Sequence, residues 1–181
     1  MLSPIVTLFK HFPLRAYSTV LILLAVVWYT YTRLRRSWEQ GRVSKKRAAV
    51  IWLLISYVLL LLFFTVLGRR SLEYCRYNFN VGYSYREAFS AGDAPMAAQI
   101  AANIAVFVPV GLLGTLAPKR LGFLKALLGG IALTVCIELL QLVLRCGTAE
   151  IDDLISNGLG TLVGCCSAVA VRLIDQYFIK K

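Results

Sequence analysis

The sequence is poor in the residues that bind metals and in those that cover soluble proteins. It has one histidine, His11, and its five cysteines form no C-x-x-C pair, so neither a zinc nor a haem site is expected. Charged residues make up 16% of the chain and hydrophobic residues 59%, which leaves too little polar surface for a soluble domain. We therefore predict an integral membrane protein with no metal and no cofactor.

Acidic residues are also scarce, with 9 Asp+Glu against 20 Lys+Arg and a net charge of +11. Such a basic chain could bind nucleic acid, but the Lys and Arg residues cluster between apolar runs. These clusters are Arg33–Arg47, Lys119–Lys125 and Lys180–Lys181. This placement suits membrane topology and anionic headgroups better, so no nucleic-acid partner is predicted.

Long apolar runs occur at Ala16–Thr32, Ala48–Leu67, Ala97–Ala117, Phe123–Leu144 and Leu154–Val171. A helix of about 20 apolar residues crosses the hydrocarbon core, and no cleavage motif follows the first run. The fold class predicted is all-α, a polytopic membrane helical bundle of about five transmembrane helices. Residues 1–47 would form an N-terminal transmembrane helix and a basic cytoplasmic loop. Residues 48–181 would form a four-helix membrane domain with an outward-facing loop at residues 68–97.

The basic clusters fall on one side of the membrane if there are five spans, which places the N-terminus outside and the C-terminus in the cytoplasm. In the loop at residues 68–97, aromatic and polar residues alternate. This pattern is typical of rings at headgroup depth, although a lid over the bundle is a second interpretation. Cys75 and Cys146 would both lie outside, where a disulfide requires a Cα separation below about 7 Å.

Polar residues gather near the end of the fourth run and the start of the fifth. Glu138, Gln141 and Arg145 are spaced i, i+3, i+7, so they share one helix face. Polar faces in a bilayer turn inward, and a short turn makes the two helices antiparallel neighbours. Asp153 and Asn157, spaced i, i+4, share a face of the next helix. The two faces should therefore meet in a ligand-binding site, together with Asn103 of the third run. The candidate residues are Asn103, Glu138, Gln141, Arg145, Asp152, Asp153 and Asn157.

The same residues could instead have purely structural roles. Asp152 and Asp153 begin a predicted helix, where carboxylates cap free N–H groups, and Gly160–Gly164 forms a G-x-x-x-G packing motif. Glu138 lies six residues, or about 9 Å, inside its helix. A carboxylate at that depth costs several kcal/mol unless it is paired, protonated or hydrated. Both a buried structural network and an outward-facing pocket fit this pattern.

These residues also carry a resemblance to the VanZ family of bacterial membrane proteins, over about Asn78 to Leu173. The matching blocks are Asn-x3-Phe-x-Pro-x-Gly from Asn103, Glu-x2-Gln from Glu138, and Asp-Asp-x3-Asn-x2-Gly from Asp152. The sequence departs from the family at Gly82–Tyr83, where a Pro-Phe pair is usual. The resemblance implies a bacterial cell-membrane protein related to resistance against teicoplanin, a lipid-tailed glycopeptide antibiotic.

The leading hypothesis is a binding protein whose pocket accepts a membrane lipid, a lipid-linked cell-wall precursor or a lipoglycopeptide. Arg145 could then pair with a phosphate or carboxylate group of the ligand. One alternative is an intramembrane enzyme that acts on a lipid headgroup, with Glu138 and either Asp152 or Asp153 as acid and base. Another is a small transporter, although no internal repeat is visible. No catalytic residue is assigned.

Overall fold

The computed structural model describes residues 14–69, 71–118 and 122–179. The basic residues Lys119, Arg120, Lys180 and Lys181 lie outside this range. The long helices follow the predicted apolar runs within a few residues at most ends, and the first and last extend further. The elements are α1 (Leu14–Glu39), α2 (Lys45–Leu62) with a π-helical extension (Phe63–Leu67), β1 (Arg76–Asn78), α3 (Tyr83–Ser90), α4 (Ala94–Leu116), α5 (Gly122–Leu144), β2 (Thr148–Glu150) and α6 (Ile151–Ile179).

The prediction of a helical membrane bundle is confirmed. Within the described residues, four helices are long and apolar enough to cross a membrane, namely Lys45–Leu67, Ala94–Leu116, Gly122–Leu144 and Ile151–Tyr177. Helix α1, the predicted first span, is 26 residues long. It packs against α2, where the Trp52 indole donates a 3.2 Å hydrogen bond to the Val27 carbonyl.

Helices α4 and α6 form the most extensive helix pair in the described structure. Glycines make this close approach possible. A Cβ added at Gly160 would overlap the Ile104 carbonyl oxygen, and one added at Gly164 would overlap that of Val108. The G-x-x-x-G motif therefore brings the two backbones together, as small residues do in membrane helices. This pairing places Gly160, in the third turn of α6, beside Ile104 in the middle of α4.

A short parallel sheet joins the segment after α2 to the turn before α6. Arg76 pairs with Thr148 and Asn78 with Glu150. The sheet was not predicted, because each strand has three residues and its pairing is between segments distant in sequence. We call the end of the bundle that carries this sheet the sheet end.

The segment between β1 and α4 forms the eight-residue helix α3. Gly82 precedes it with a φ of +78°, a conformation that glycine adopts at little cost. Tyr77, Phe79 and Phe89 are largely exposed, which suits the interfacial interpretation of these aromatic residues.

Cys75 and Cys146 are not joined by a disulfide. The Cys75 thiol lies 3.6 Å from the Leu142 carbonyl oxygen, whereas Cys146 is buried in the apolar core with Leu61 and Phe107. The two side chains therefore have separate surroundings, although both lie at the same end of the bundle.

Candidate functional site

A cavity of about 420 Å³ lies at the sheet end, between α2 with its π-helical extension, α4, α5 and α6. We call it the polar cavity. Five of the seven predicted site residues line it: Asn103, Glu138, Gln141, Asp153 and Asn157. Polar residues of α4, α5 and α6 therefore line one cavity, as residue spacing predicted. The apolar part of the wall includes Leu61, Phe107 and Ile137.

Asn103 and Asp153 join α4 to the first turn of α6. The Asn103 amide nitrogen donates a 2.7 Å hydrogen bond to the Asp153 Oδ1. A hydrogen bond to a carboxylate contributes about 1.5–3 kcal/mol, and it fixes the direction of both side chains. The close α4–α6 packing sets the separation at which this contact forms.

Glu138 and Gln141 extend from α5 toward the surrounding backbone. The Glu138 side chain is 7% exposed, and its Oε2 accepts the Glu150 backbone N–H at 3.0 Å. The Gln141 amide donates a 3.1 Å hydrogen bond to the Thr65 carbonyl. Thr65 belongs to the π-helical extension, and π-helical turns occur often at functional sites. Both α5 side chains are thus held in place by backbone groups of other segments.

Asn157 has one acceptor without a partner among the described residues. Its amide nitrogen donates a 2.7 Å hydrogen bond to the Thr134 hydroxyl. Its Oδ1 is buried and forms no hydrogen bond within the described residues. An unpaired buried acceptor costs about 1–3 kcal/mol. Asn157 lines the cavity, but this oxygen itself is buried behind the cavity wall.

Asp152 and Arg145 do not line the polar cavity. Asp152 accepts hydrogen bonds from the backbone N–H groups of Gly82 and Ser84, at 2.7 and 2.8 Å, so it caps α3. Helix α5 ends at Leu144, and Arg145 has a φ of +53°. The expectation that Arg145 shares a face with Glu138 is therefore wrong, because the helix does not continue to it. Its side chain is directed instead to the Glu73 carbonyl, at 3.4 Å.

Several lining residues were missed from the sequence. Gln99 could have been found, since it precedes Asn103 by one helical turn on the same face. Arg69, Thr65 and Glu150 gave no such signal, because the π-helical extension and β2 bring them to the cavity. Among the described residues of the loop predicted at 68–97, Arg69 alone lines the cavity, so α3 lies beside the cavity and contributes nothing to its wall.

Among the described residues, the cavity is lined by three carboxyl groups, those of Glu138, Glu150 and Asp153, and by one guanidinium group, that of Arg69. Burial raises the pKa of the Glu150 carboxyl, whereas a hydrogen bond from Ser84 lowers this pKa and the nearby charge of Asp152 raises it. Carboxyl and amide groups at these positions can bind hydroxyl, amide or amino groups.

Comparison with known proteins assigns the chain to a family. The sequence model of the VanZ/LLP1 family matches residues 19–172. The protein named "Protein VanZ" from Enterococcus faecium is 32% identical over 62 residues, which are 34% of this chain and 38% of that protein. The aligned segment thus spans well under half of that relative. No solved structure matches the chain significantly. The family match includes every described residue that lines the polar cavity. Because this match covers most of the chain, the chain belongs to the VanZ/LLP1 family.

Proposed function

We propose that the polar cavity binds the polar headgroup of a lipid-tailed ligand, a lipid-linked cell-wall precursor or a lipoglycopeptide. The observation that carries this proposal is the meeting of Asn103, Glu138, Gln141, Asp153 and Asn157 in one cavity of about 420 Å³. A network that served only to join helices would be expected to satisfy its own polar atoms. Among the described residues the buried Asn157 Oδ1 has no partner, so this network does not satisfy all of its own polar atoms.

The charges of the cavity favour a sugar or peptide headgroup over a phosphate. Arg145 was the expected partner for an anionic group, but it lies outside the cavity. The described residues of the cavity wall include three carboxyl groups beside Arg69. These groups, together with the amides of Asn103 and Gln141, match hydroxyl, amide and amino groups of a ligand. The lipid tail would lie against the apolar surface of the helices.

A link to glycopeptide resistance supports the choice of ligand. The chain belongs to the VanZ/LLP1 family, and a partly aligned relative is named "Protein VanZ". We propose that this protein lowers the sensitivity of cells to teicoplanin by engaging the antibiotic or the precursor that it targets. This proposal requires the cavity to face the cell exterior, in a bundle of five spans with the N-terminus outside and the C-terminus in the cytoplasm.

Binding can be tested directly with protein reconstituted in lipid nanodiscs and labelled teicoplanin as the probe. We expect saturable binding that Asn157→Leu weakens about tenfold, since this change replaces an amide of the cavity wall by an apolar side chain. The matched control is Asn80→Leu, because Asn80 is exposed and does not line the cavity. Equal affinity of the wild type and Asn157→Leu would contradict the proposed site. If the wild type does not bind teicoplanin but does bind a lipid-linked precursor, the precursor is the ligand.

A further inference from the structure

A second cavity, the apolar groove, lies at the end of the bundle opposite the polar cavity. It has a volume of about 400 Å³ and runs between α2, α4 and α5. Lys125 lines it at the start of α5, thirteen residues or about 20 Å from Glu138 along that helix. The two cavities are therefore separate, and a ligand of the groove is independent of the proposed function of the polar cavity.

Glycines form part of the groove wall. Gly114, Gly129 and Gly130 all line it, and a Cβ added at Gly129 would meet no atom within 4 Å. The rest of the wall is apolar apart from Lys125, with Leu54, Val58 and Leu133 toward the membrane interior. Water finds no polar partners along such a wall, so the groove favours a hydrocarbon chain as its occupant.

The mouth of the groove is cationic. Arg47 donates a 2.7 Å hydrogen bond from Nε to the carbonyl oxygen of Ala117, which lines the groove together with Lys125. The terminal guanidinium nitrogens of Arg47 and the Lys125 ammonium form no hydrogen bond within the part of the chain that the structure describes. None of the described residues that line the groove is acidic. Two cations are therefore available at its mouth for an anionic group.

The length of the groove matches one leaflet of a bilayer. From Arg47 to Val58 the chain advances eleven residues along α2, or about 16 Å. The hydrocarbon core is about 30 Å thick, so one leaflet accounts for about 15 Å. A chain that enters at the headgroup level beside Arg47 would thus end near the bilayer centre.

We propose that the apolar groove binds one acyl chain of an anionic phospholipid, with the phosphate of the headgroup on Arg47 and Lys125. The apolar wall selects the chain, and the two cations select an anionic headgroup over a zwitterionic one. This site holds a lipid against α2, α4 and α5, on the side away from the polar cavity.

Native mass spectrometry tests the proposal on purified full-length protein mixed with equal amounts of phosphatidylglycerol and phosphatidylcholine of the same chain composition. We expect the wild type to retain one lipid, mainly phosphatidylglycerol. Lys125→Gln should lower this preference about fivefold, the effect of one cation near a membrane surface. Lys125 is exposed, so this variant is expected to fold normally.

Gly129→Leu provides an independent test, because its side chain would enter the open groove without meeting backbone. It should lose the bound lipid of either kind. The matched control is Gly158→Leu on α6, where a Cβ also meets no atom within 4 Å and which lies outside the groove. Equal retention of the two lipids by the wild type, or an unchanged preference in Lys125→Gln, would overturn the proposal. Lipid retention by Gly129→Leu at the wild-type level would also overturn it.

Discussion

At the scale of single residues, two adjacent carboxylates have different tasks. Asp152 accepts hydrogen bonds from Gly82 and Ser84 of the α3 segment, whereas Asp153 accepts one from Asn103 on α4. Neighbouring residues on a helix point about 100° apart, so Asp152 and Asp153 contact two different segments, α3 and α4, from one helical turn. Asp152 stabilises the surroundings of the polar cavity, and Asp153 belongs to the cavity itself.

Replacing Asp152 by Ala should therefore loosen α3. The change leaves the N–H groups of Gly82 and Ser84 without their carboxylate acceptor, at an expected cost of about 2 kcal/mol. Hydrogen exchange should accelerate at residues 82–86, and the melting temperature in detergent should fall. Asp175→Ala is the matched control, since Asp175 is exposed on α6. Unchanged exchange at residues 82–86 in Asp152→Ala would contradict the assigned role.

Glu150 gives a prediction about pH. Burial raises the pKa of its carboxyl in the folded protein above the ordinary value of 4.5, so the folded state holds this proton more tightly than the unfolded state does. The stability from this group is complete below the unfolded pKa and is lost as the pH rises through the folded pKa. Melting temperatures measured upward from about pH 4.5 should fall less steeply in Glu150→Gln than in the wild type. Curves of melting temperature against pH that run parallel for the two proteins would contradict this effect.

The residues of the site could be predicted only where helical periodicity places them. Asn103, Glu138 and Asn157 followed from spacing on continuous helices. Arg145 did not, because the end of α5 one residue earlier redirects its side chain. Glu150 and Arg69 reach the cavity through β2 and the π-helical extension, which depend on contacts between segments distant in sequence. Such contacts leave no periodic pattern in the sequence.

At the scale of elements, the pairing of α4 and α6 depends on glycine. Gly160→Leu should prevent the close approach, because its Cβ would overlap the Ile104 carbonyl oxygen. We expect a loss of stability of about 3 kcal/mol or more, together with lower expression in membranes. Gly158→Leu should have little effect, since that position faces open space. Comparable melting temperatures for the two variants would contradict the packing described.

The long helices were also the most predictable elements. Apolar runs of about 20 residues have few other structures available in a bilayer, so α2, α4 and α5 match their predicted runs closely. Helix α6 begins three residues before its apolar run, since Asp152 and Asp153 fit the first turn of a helix. Helix α3 and the sheet were not predicted, because the contacts that hold them come from Asp152 and from strand pairing.

At the scale of the whole molecule, the positive charges predict the topology. Arg33–Arg47 should face the cytoplasm, which puts the sheet end outside. In a variant with all five cysteines replaced, Ser71→Cys should react with an impermeant maleimide added to intact cells. Gln40→Cys should react only after lysis. Both residues are exposed, so labelling at residue 40 and not at residue 71 in intact cells would reverse the orientation.

The central claim is that the polar cavity at the sheet end binds a ligand related to glycopeptide resistance. Glu138 tests it best, because its carboxyl lies in the cavity and is 7% exposed. Glu138→Gln keeps the side-chain volume and removes the charge. A neutral amide is less costly to bury than a carboxylate, so the variant is expected to fold.

The decisive measurement is the teicoplanin sensitivity of cells that produce the wild type, Glu138→Gln or Glu73→Gln at equal membrane levels. Glu73 is exposed and lies outside the cavity, so Glu73→Gln controls for the loss of a carboxylate as such. We expect the wild type and Glu73→Gln to protect cells equally, while Glu138→Gln gives the sensitivity of cells without the protein. Full protection by Glu138→Gln at normal expression would contradict the claim.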